Sequence, residues 1–121
     1  MTLVDTSVWI DFFRQKNRKI DTLLSGLLED GEVVALSAVF GELLQGAKNE
    51  SEEQTLLDFW EALPKIEEEG LFIEAGQLSR ELKLITKGIG LVDSYILAAS
   101  KREQLNLWTL DKKLQEVYSR L

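Results

Sequence analysis

Val33-Val34-Ala35-Leu36 is apolar at every position. A strand with one wet face alternates apolar with polar residues, so an unbroken apolar run reads as a strand buried on both faces, the usual state of a parallel sheet. Two further short segments fit the same sheet: Leu3-Val4, closed by Asp5, and Asn106-Leu107-Trp108-Thr109-Leu110, closed by Asp111. No hairpin signal such as Asn-Gly joins these runs, and the long segments between them have helical spacing. The predicted fold class is α/β, a small parallel β-sheet with helices on both faces in an α/β/α arrangement.

The intervening segments carry their own start and stop signals. From Ser7, the residues Val8, Trp9, Phe12 and Phe13 form one broad apolar face; Ile20, Leu23, Leu24, Leu27 and Leu28 then recur at the spacing of an amphipathic helix that Gly31 ends. Ser37 is the predicted N-cap of a helix carrying Glu42, and Ser51-Glu52-Glu53-Gln54 has the form of a capping box. That box leads into Leu56, Leu57, Phe59, Trp60 and Leu63, and Pro64 closes the helix. Leu63 to Ile66 is a predicted brief strand, confined by Pro64 to a sheet edge. Ala75, Leu78, Leu82 and Ile85 predict one helix from Ile73 to Lys87 with Gly88 as its stop; a helix from Val92 to about Arg102 follows. Asp111 opens the last helix, with Leu114, Val117, Tyr118 and Leu121 inward. With 121 residues, 45% of them hydrophobic and a single proline, the expectation is one domain over residues 1–121.

Composition removes several kinds of chemistry. The chain has no histidine and no cysteine, which excludes a Ser-His-Asp triad, a thiol nucleophile, a zinc finger and disulfides. Met1 leads directly into Leu3, Val4 and Asp5 without a basic or long apolar leader, and the expected location is the cytoplasm, with no membrane contact. The formal net charge of −7 argues against nonspecific binding to nucleic acid, because that affinity comes mostly from Lys and Arg.

The placement of the acids matters more than their number. Asp5 ends the first strand, Glu42 lies in the helix after the second, Asp93 starts the helix after Gly88-Ile89-Gly90, and Asp111 follows the last strand. Ligands of open parallel sheets bind beyond the carboxyl ends of the strands, and all four acids are expected on that rim. Singly, Asp93 and Asp111 read as ordinary N-caps, Asp5 as a turn residue and Glu42 as a solvated helix position. Together they repel, and a divalent cation relieves the conflict. Mg²⁺ and Mn²⁺ prefer oxygen ligands, the set this composition offers, and two such ions would bring the net charge from −7 to −3. Metal-dependent hydrolysis of a phosphodiester is the reaction such a site suits. Lys87, Lys112 and Lys113 stand near Asp93 and Asp111 in sequence and are the candidate phosphate contacts. A phosphoaspartyl mechanism of the haloacid-dehalogenase type would need a second aspartate two residues after Asp5, where Ser7 stands.

Four segments in order carry a family resemblance. Val4-Asp5-Thr6-Ser7-Val8-Trp9-Ile10-Asp11, Glu42-Leu43-Leu44-Gln45-Gly46, Val92-Asp93-Ser94-Tyr95-Ile96-Leu97-Ala98-Ala99 and Leu107-Trp108-Thr109-Leu110-Asp111 resemble the successive motifs of PIN domains, especially toxin ribonucleases of the VapC type. The resemblance implies that Asp5, Glu42, Asp93 and Asp111 are the catalytic acids that bind Mg²⁺ or Mn²⁺, with Thr109 supporting them and Asp11 secondary. It implies endonucleolytic cleavage of RNA, a homodimer, and restraint by a small antitoxin protein whose C-terminal segment occupies a groove near the site. Leu114 departs from the phenylalanine common at that position, and the segment between Gly46 and Gly88 carries no motif. The alternatives are a non-catalytic PIN-like interaction module and a housekeeping RNA-processing nuclease. Trp9, Phe12, Phe13, Trp60 and Trp108 are expected in core or dimer packing, with the Trp60 face the most exposed and hence a partner site.

Overall fold

The computed structural model describes residues 1–121, and a three-stranded parallel sheet lies at its centre. The strands are β1 (Thr2–Val4), β2 (Val33–Val34) and β3 (Asn106–Trp108), in the spatial order β2-β1-β3. Register is direct: Leu3 pairs with Val34 on one side and with Leu107 on the other. Seven α-helices flank the sheet: α1 (Thr6–Arg14), α2 (Arg18–Glu29), α3 (Ser37–Gln45), α4 (Glu50–Ala62), α5 (Leu71–Leu82), α6 (Leu91–Glu103) and α7 (Lys112–Ser119). None is long and apolar enough to cross a membrane.

β1 lies between β2 and β3, and the apolar side chains of β1 and β2 are closed off from water. Leu3, Val4, Val33, Ala35 and Leu36 are fully buried, as a strand covered on both faces requires. Trp9 is also fully buried and stacks on Phe13, with Phe12, Phe40 and Phe59 set edge-on around it at centroid distances of 5.6 to 6.0 Å. The aromatics at this end of the molecule therefore build the core, as expected.

Several local expectations are corrected. The capping box at Ser51 is not used: Asn49 caps α4 two residues earlier, its side chain accepting from the Glu52 amide at 2.9 Å, because Asn is an equally good cap and comes first. Ser37 is the first residue of α3, not its cap, and the cap position is Leu36, which has no side chain to serve the exposed amides. The helix predicted from Ile73 to Lys87 breaks at Lys83, which adopts a left-handed conformation at φ 54°, and Leu84–Lys87 forms a separate 3-10 turn. Ile85, expected inward, is 81% exposed as a result. The strand from Leu63 to Ile66 reduces to one rung: Ala35 bridges Lys65, and its amide donates to the Pro64 carbonyl at 2.8 Å. Trp60 is not an open apolar face; it packs on Phe40 with the Lys65 ammonium 4.9 Å above its ring.

Candidate active site

The strand order puts the ends of β1 and β3 side by side, at the point where the chain's crossings switch from one side of β1 to the other. Crevices in parallel sheets open at such points. Asp5 follows β1 there. Its amide donates to the Trp108 carbonyl at 2.9 Å, and it is only 5% exposed. Asp5 also caps α1, its Oδ1 accepting from the Thr6 amide at 2.8 Å. Oδ2 accepts two hydroxyls, from Ser7 at 2.9 Å and from Thr109 at 2.7 Å. Both hydroxyls are used twice: Ser7 Oγ accepts from the Leu110 amide and Thr109 Oγ1 from the Asp111 amide, each at 3.0 Å. The strand ends are thereby laced together around a buried carboxylate.

The other three acids arrive on separate elements. Asp111 is the N-cap of α7, where Oδ1 accepts from the amides of Lys113 and Leu114 and Oδ2 stays uncommitted. Glu42 is exposed on α3 and accepts from the Thr6 hydroxyl at 2.6 Å. Asp93 is half-buried in the first turn of α6. It is not a cap, contrary to that reading of it: Gly90 holds the cap position, and Asp93 is the third residue of the helix. Ser94 beside it is fully buried and donates to the Gly90 carbonyl.

Asp93 feels the other three acids. Its carboxyl is pushed up from 3.8 to about 6, first by burial, then by the negative charges of Asp5, Asp111 and Glu42 in that order. Asp11 is not among these charges; its Oδ1 is buried without a hydrogen-bond partner. No three acidic side chains converge closely enough to form a finished metal cage. Asp5, Asp111 and Glu42 are each in Coulombic reach of Asp93 without forming one coordination sphere with it. An all-oxygen donor set in which three carboxylates push up the pKa of a fourth, half-buried one fits a hard divalent cation that keeps some of its water, as Mg²⁺ does.

The lysines fall into two places. Lys87 and Lys113 line one cavity of about 390 Å³ with Arg120 and Glu116, over an apolar floor that includes Ile89 and Val117. Gly88 makes room for one of these lysines: a Cβ there would lie 3.1 Å from the Lys113 ammonium. Lys112 borders a different hollow beside Thr109 and Asp111. A third groove, of about 410 Å³, begins at Glu42 and runs between α1, α3 and α4, lined by Ile10, Phe13, Arg14, Leu43, Lys48 and Leu56.

Sequence reasoning passed over Thr6, Ser7 and Glu68. Ser7 carries a local signal, a hydroxyl in the helical turn after a strand-terminal aspartate, where it can reach that carboxylate; the Thr6 hydroxyl goes instead to Glu42, 36 residues away, and carries none. Glu68 carries none, since its partners Ser37 and Tyr95 are distant in the chain.

A parallel sheet of order β2-β1-β3 with four acids at its carboxyl rim defines an α/β protein of the acidic-rim kind. The chain belongs to the PIN domain family, whose model matches residues 2–119. PIN domains are generally nucleases. No curated protein sequence matches the chain. Among solved structures it is similar to VapBC2 from Rickettsia felis bound to a DNA fragment from their promoter, with TM-score 0.74 and 23% identity over 96% of this chain and 92% of that one. It is also similar to FitAcB from Neisseria gonorrhoeae, with TM-score 0.66 and 22% identity over 98% of this chain and 94% of that one. Both likenesses are likenesses of fold.

Proposed function

We propose that this chain is a Mg²⁺- or Mn²⁺-dependent endoribonuclease and the toxin half of a cytoplasmic toxin–antitoxin pair, forming one PIN domain over residues 1–121. The observation that carries the reading is that Thr6 and Thr109 tie three of the acids together: Thr6 gives its amide to Asp5 and its hydroxyl to Glu42, while Thr109 gives its hydroxyl to Asp5 and takes the Asp111 amide. The Asp93 carboxyl beside them is pushed up, by burial first and then by their charges. In this reading Asp5, Glu42, Asp93 and Asp111 hold the ion, and Thr109 fixes Asp5. A bound divalent ion supplies charge neutralisation, activation of water and stabilisation of the charge that develops on the phosphodiester. The chain's own residues do the positioning. Asp5 is rigid because both of its oxygens are hydrogen-bonded from three sides, whereas Glu42, held by the single Thr6 hydroxyl, is free to adjust.

RNA enters this reading through its phosphates. Lys87, Lys113 and Arg120 outnumber Glu116 around one cavity of an otherwise acidic chain, and Lys112 lies beside Asp111. The groove that begins at Glu42 suits the antitoxin: apolar side chains along it would take an extended or helical segment, and an Arg at its end would pair with Glu42 and keep the ion out. The names of the two similar structures, VapBC2 and FitAcB, favour such a partner. For a homodimer the reading shifts away from Trp60 to Phe72 and Ile73, which are 62% and 72% exposed at the start of α5.

The test uses purified chain with single-stranded RNA. Cleavage stops in EDTA and returns with Mg²⁺ or Mn²⁺, and expression without the antitoxin arrests growth. Cleavage that ignores EDTA overturns the metal mechanism. Growth unaffected by unaccompanied expression, with metal-dependent cleavage intact, replaces the toxin reading with that of a housekeeping nuclease.

A further inference from the structure

Glu68 is none of the four rim acids, yet it touches both of the helices that bring two of them. It lies in the segment between α4 and α5. Oε2 accepts from the Ser37 amide at 3.0 Å, and Oε1 accepts from the hydroxyls of Ser37 and Tyr95. Ser37 opens α3, which carries Glu42 five residues on; Tyr95 is on α6, two residues after Asp93. The first amides of a helix have no partner within it, and Leu36 offers none, so Glu68 serves α3 from a distance and sets a negative charge at its positive end.

Arg102 holds the backbone around this side chain. Its Nη1 donates to the Glu67 carbonyl at 3.0 Å and its Nη2 to the Glu69 carbonyl at 2.9 Å, one residue to either side of Glu68. The Glu74 carboxylate completes the fork by pairing with Nε and Nη2. Tyr95 and Arg102 stand seven residues apart on α6, two turns along one face, so this helix grips both the carboxylate of Glu68 and its main chain.

We propose that Glu68, bracketed by Tyr95 and Arg102, is a positioning residue that sets the spacing of α3 against α6, and with it the separation of Glu42 and Asp93 and the affinity of the acidic rim for a divalent ion. The proposal rests on the reading that the rim binds metal. Glu42 gives it force: that side chain is exposed and has one hydrogen bond, so its place over the rim follows the place of α3. Groups that orient metal ligands without touching the ion change metal affinity by roughly 10- to 100-fold when removed.

The experiment is calorimetric titration of Mn²⁺ into wild type, Glu68→Ala, Glu68→Gln, Tyr95→Phe, Arg102→Gln and Glu74→Gln, well below the Tm of each. Glu68→Ala and Arg102→Gln bind Mn²⁺ roughly tenfold more weakly. Tyr95→Phe shows a smaller loss in the same direction. Glu68→Gln keeps an oxygen for the two hydroxyls and recovers part of the affinity, and Glu74→Gln, which leaves both carbonyl bonds of Arg102 in place, matches wild type. Wild-type affinity in Glu68→Ala and Tyr95→Phe, with only Tm lowered, reduces Glu68 to a helix cap and overturns the proposal. Should Glu68→Ala fail to fold, Tyr95→Phe decides, since it removes one hydroxyl. If wild type itself takes up no Mn²⁺, the metal reading fails and this proposal fails with it; a wild type that binds beside variants that bind equally refutes the positioning role alone.

Discussion

Thr109 donates its hydroxyl to Asp5 at 2.7 Å across 104 residues of chain, and the same oxygen accepts from the Asp111 amide at 3.0 Å. One small side chain therefore registers β1 against the loop that opens α7. Thr109→Val keeps the shape and removes the hydroxyl, leaving buried Asp5 with one donor fewer and the Asp111 amide unserved. A loss of about 1.5–3 kcal/mol in stability is expected from urea unfolding, with a fall in cleavage rate, and Thr109→Ser restores both. Stability equal to wild type in the valine variant would contradict this account.

Asp93 sets a pH dependence with a definite sign. Its pKa is near 6 in the fold against an ordinary 3.8, so between those values the folded chain binds the proton more tightly than the unfolded one. Metal-free protein is thus destabilised by this group as pH rises from 3.8 through 6, and the full penalty is present above 6. Asp93→Asn removes it. With allowance for solvent screening at a half-buried group, the gain at pH 7.5 is on the order of 1 kcal/mol, or about 3–5 °C in Tm, while RNA cleavage is lost. The Tm of the two proteins, measured from pH 4 to pH 8 in EDTA, should coincide at the acid end and diverge above it.

Metal reverses that relation. A cation at the rim favours the ionised form of Asp93, so Mn²⁺ uptake displaces a proton below pH 6 and the apparent affinity rises with pH up to that point, then levels. Calorimetry in buffers of different ionisation enthalpy reads the released proton directly. Saturating Mn²⁺ at 100 times Kd should raise stability by about 2.7 kcal/mol. No proton release at pH 5.5 would mean that the ion binds away from Asp93.

Asp5→Asn separates fold from chemistry. Asparagine retains an acceptor for the Thr6 amide while removing one of the rim charges. Cleavage should fall to background with the far-UV spectrum unchanged. Near-normal turnover in this variant would take Asp5 out of the metal set.

Phosphate contacts report themselves in salt. Binding of single-stranded RNA to Asp93→Asn protein, which does not cut, should weaken with salt, and replacing Lys87, Lys113 or Arg120 by Gln should each lower the log–log slope by about 0.7. An unchanged slope in the triple variant would place the strand elsewhere.

The α/β alternation was legible because burial on both faces leaves a mark that local sequence carries, as in Val33-Val34-Ala35-Leu36. The positions of Asp5 at a strand end and of Asp93 and Asp111 at helix starts were legible for a related reason: strand ends and helix starts can be read locally. What escaped reading depended on competition or distance. Asn49 and Ser51 are both good caps, and the choice between them rests on where α4 packs. The break at Lys83 carries neither glycine nor proline, and the apolar spacing runs on through Ile85 as if nothing happened. Trp60 looked open because its neighbours in sequence are apolar; Phe40 and Lys65, which cover it, are far from it or follow a proline. The tie from Glu68 to Ser37 spans 31 residues and leaves no periodicity to find.

The single rung between Ala35 and Lys65 governs how this molecule behaves in a crowd. Pro64, whose carbonyl receives the Ala35 amide, has no N–H to offer a further strand, and at the opposite margin β3 is only three residues long. A foreign strand finds little to extend on either side. Cross-β growth and strand exchange are thus discouraged by the architecture itself, and what the fold presents beside its short sheet is helical surface.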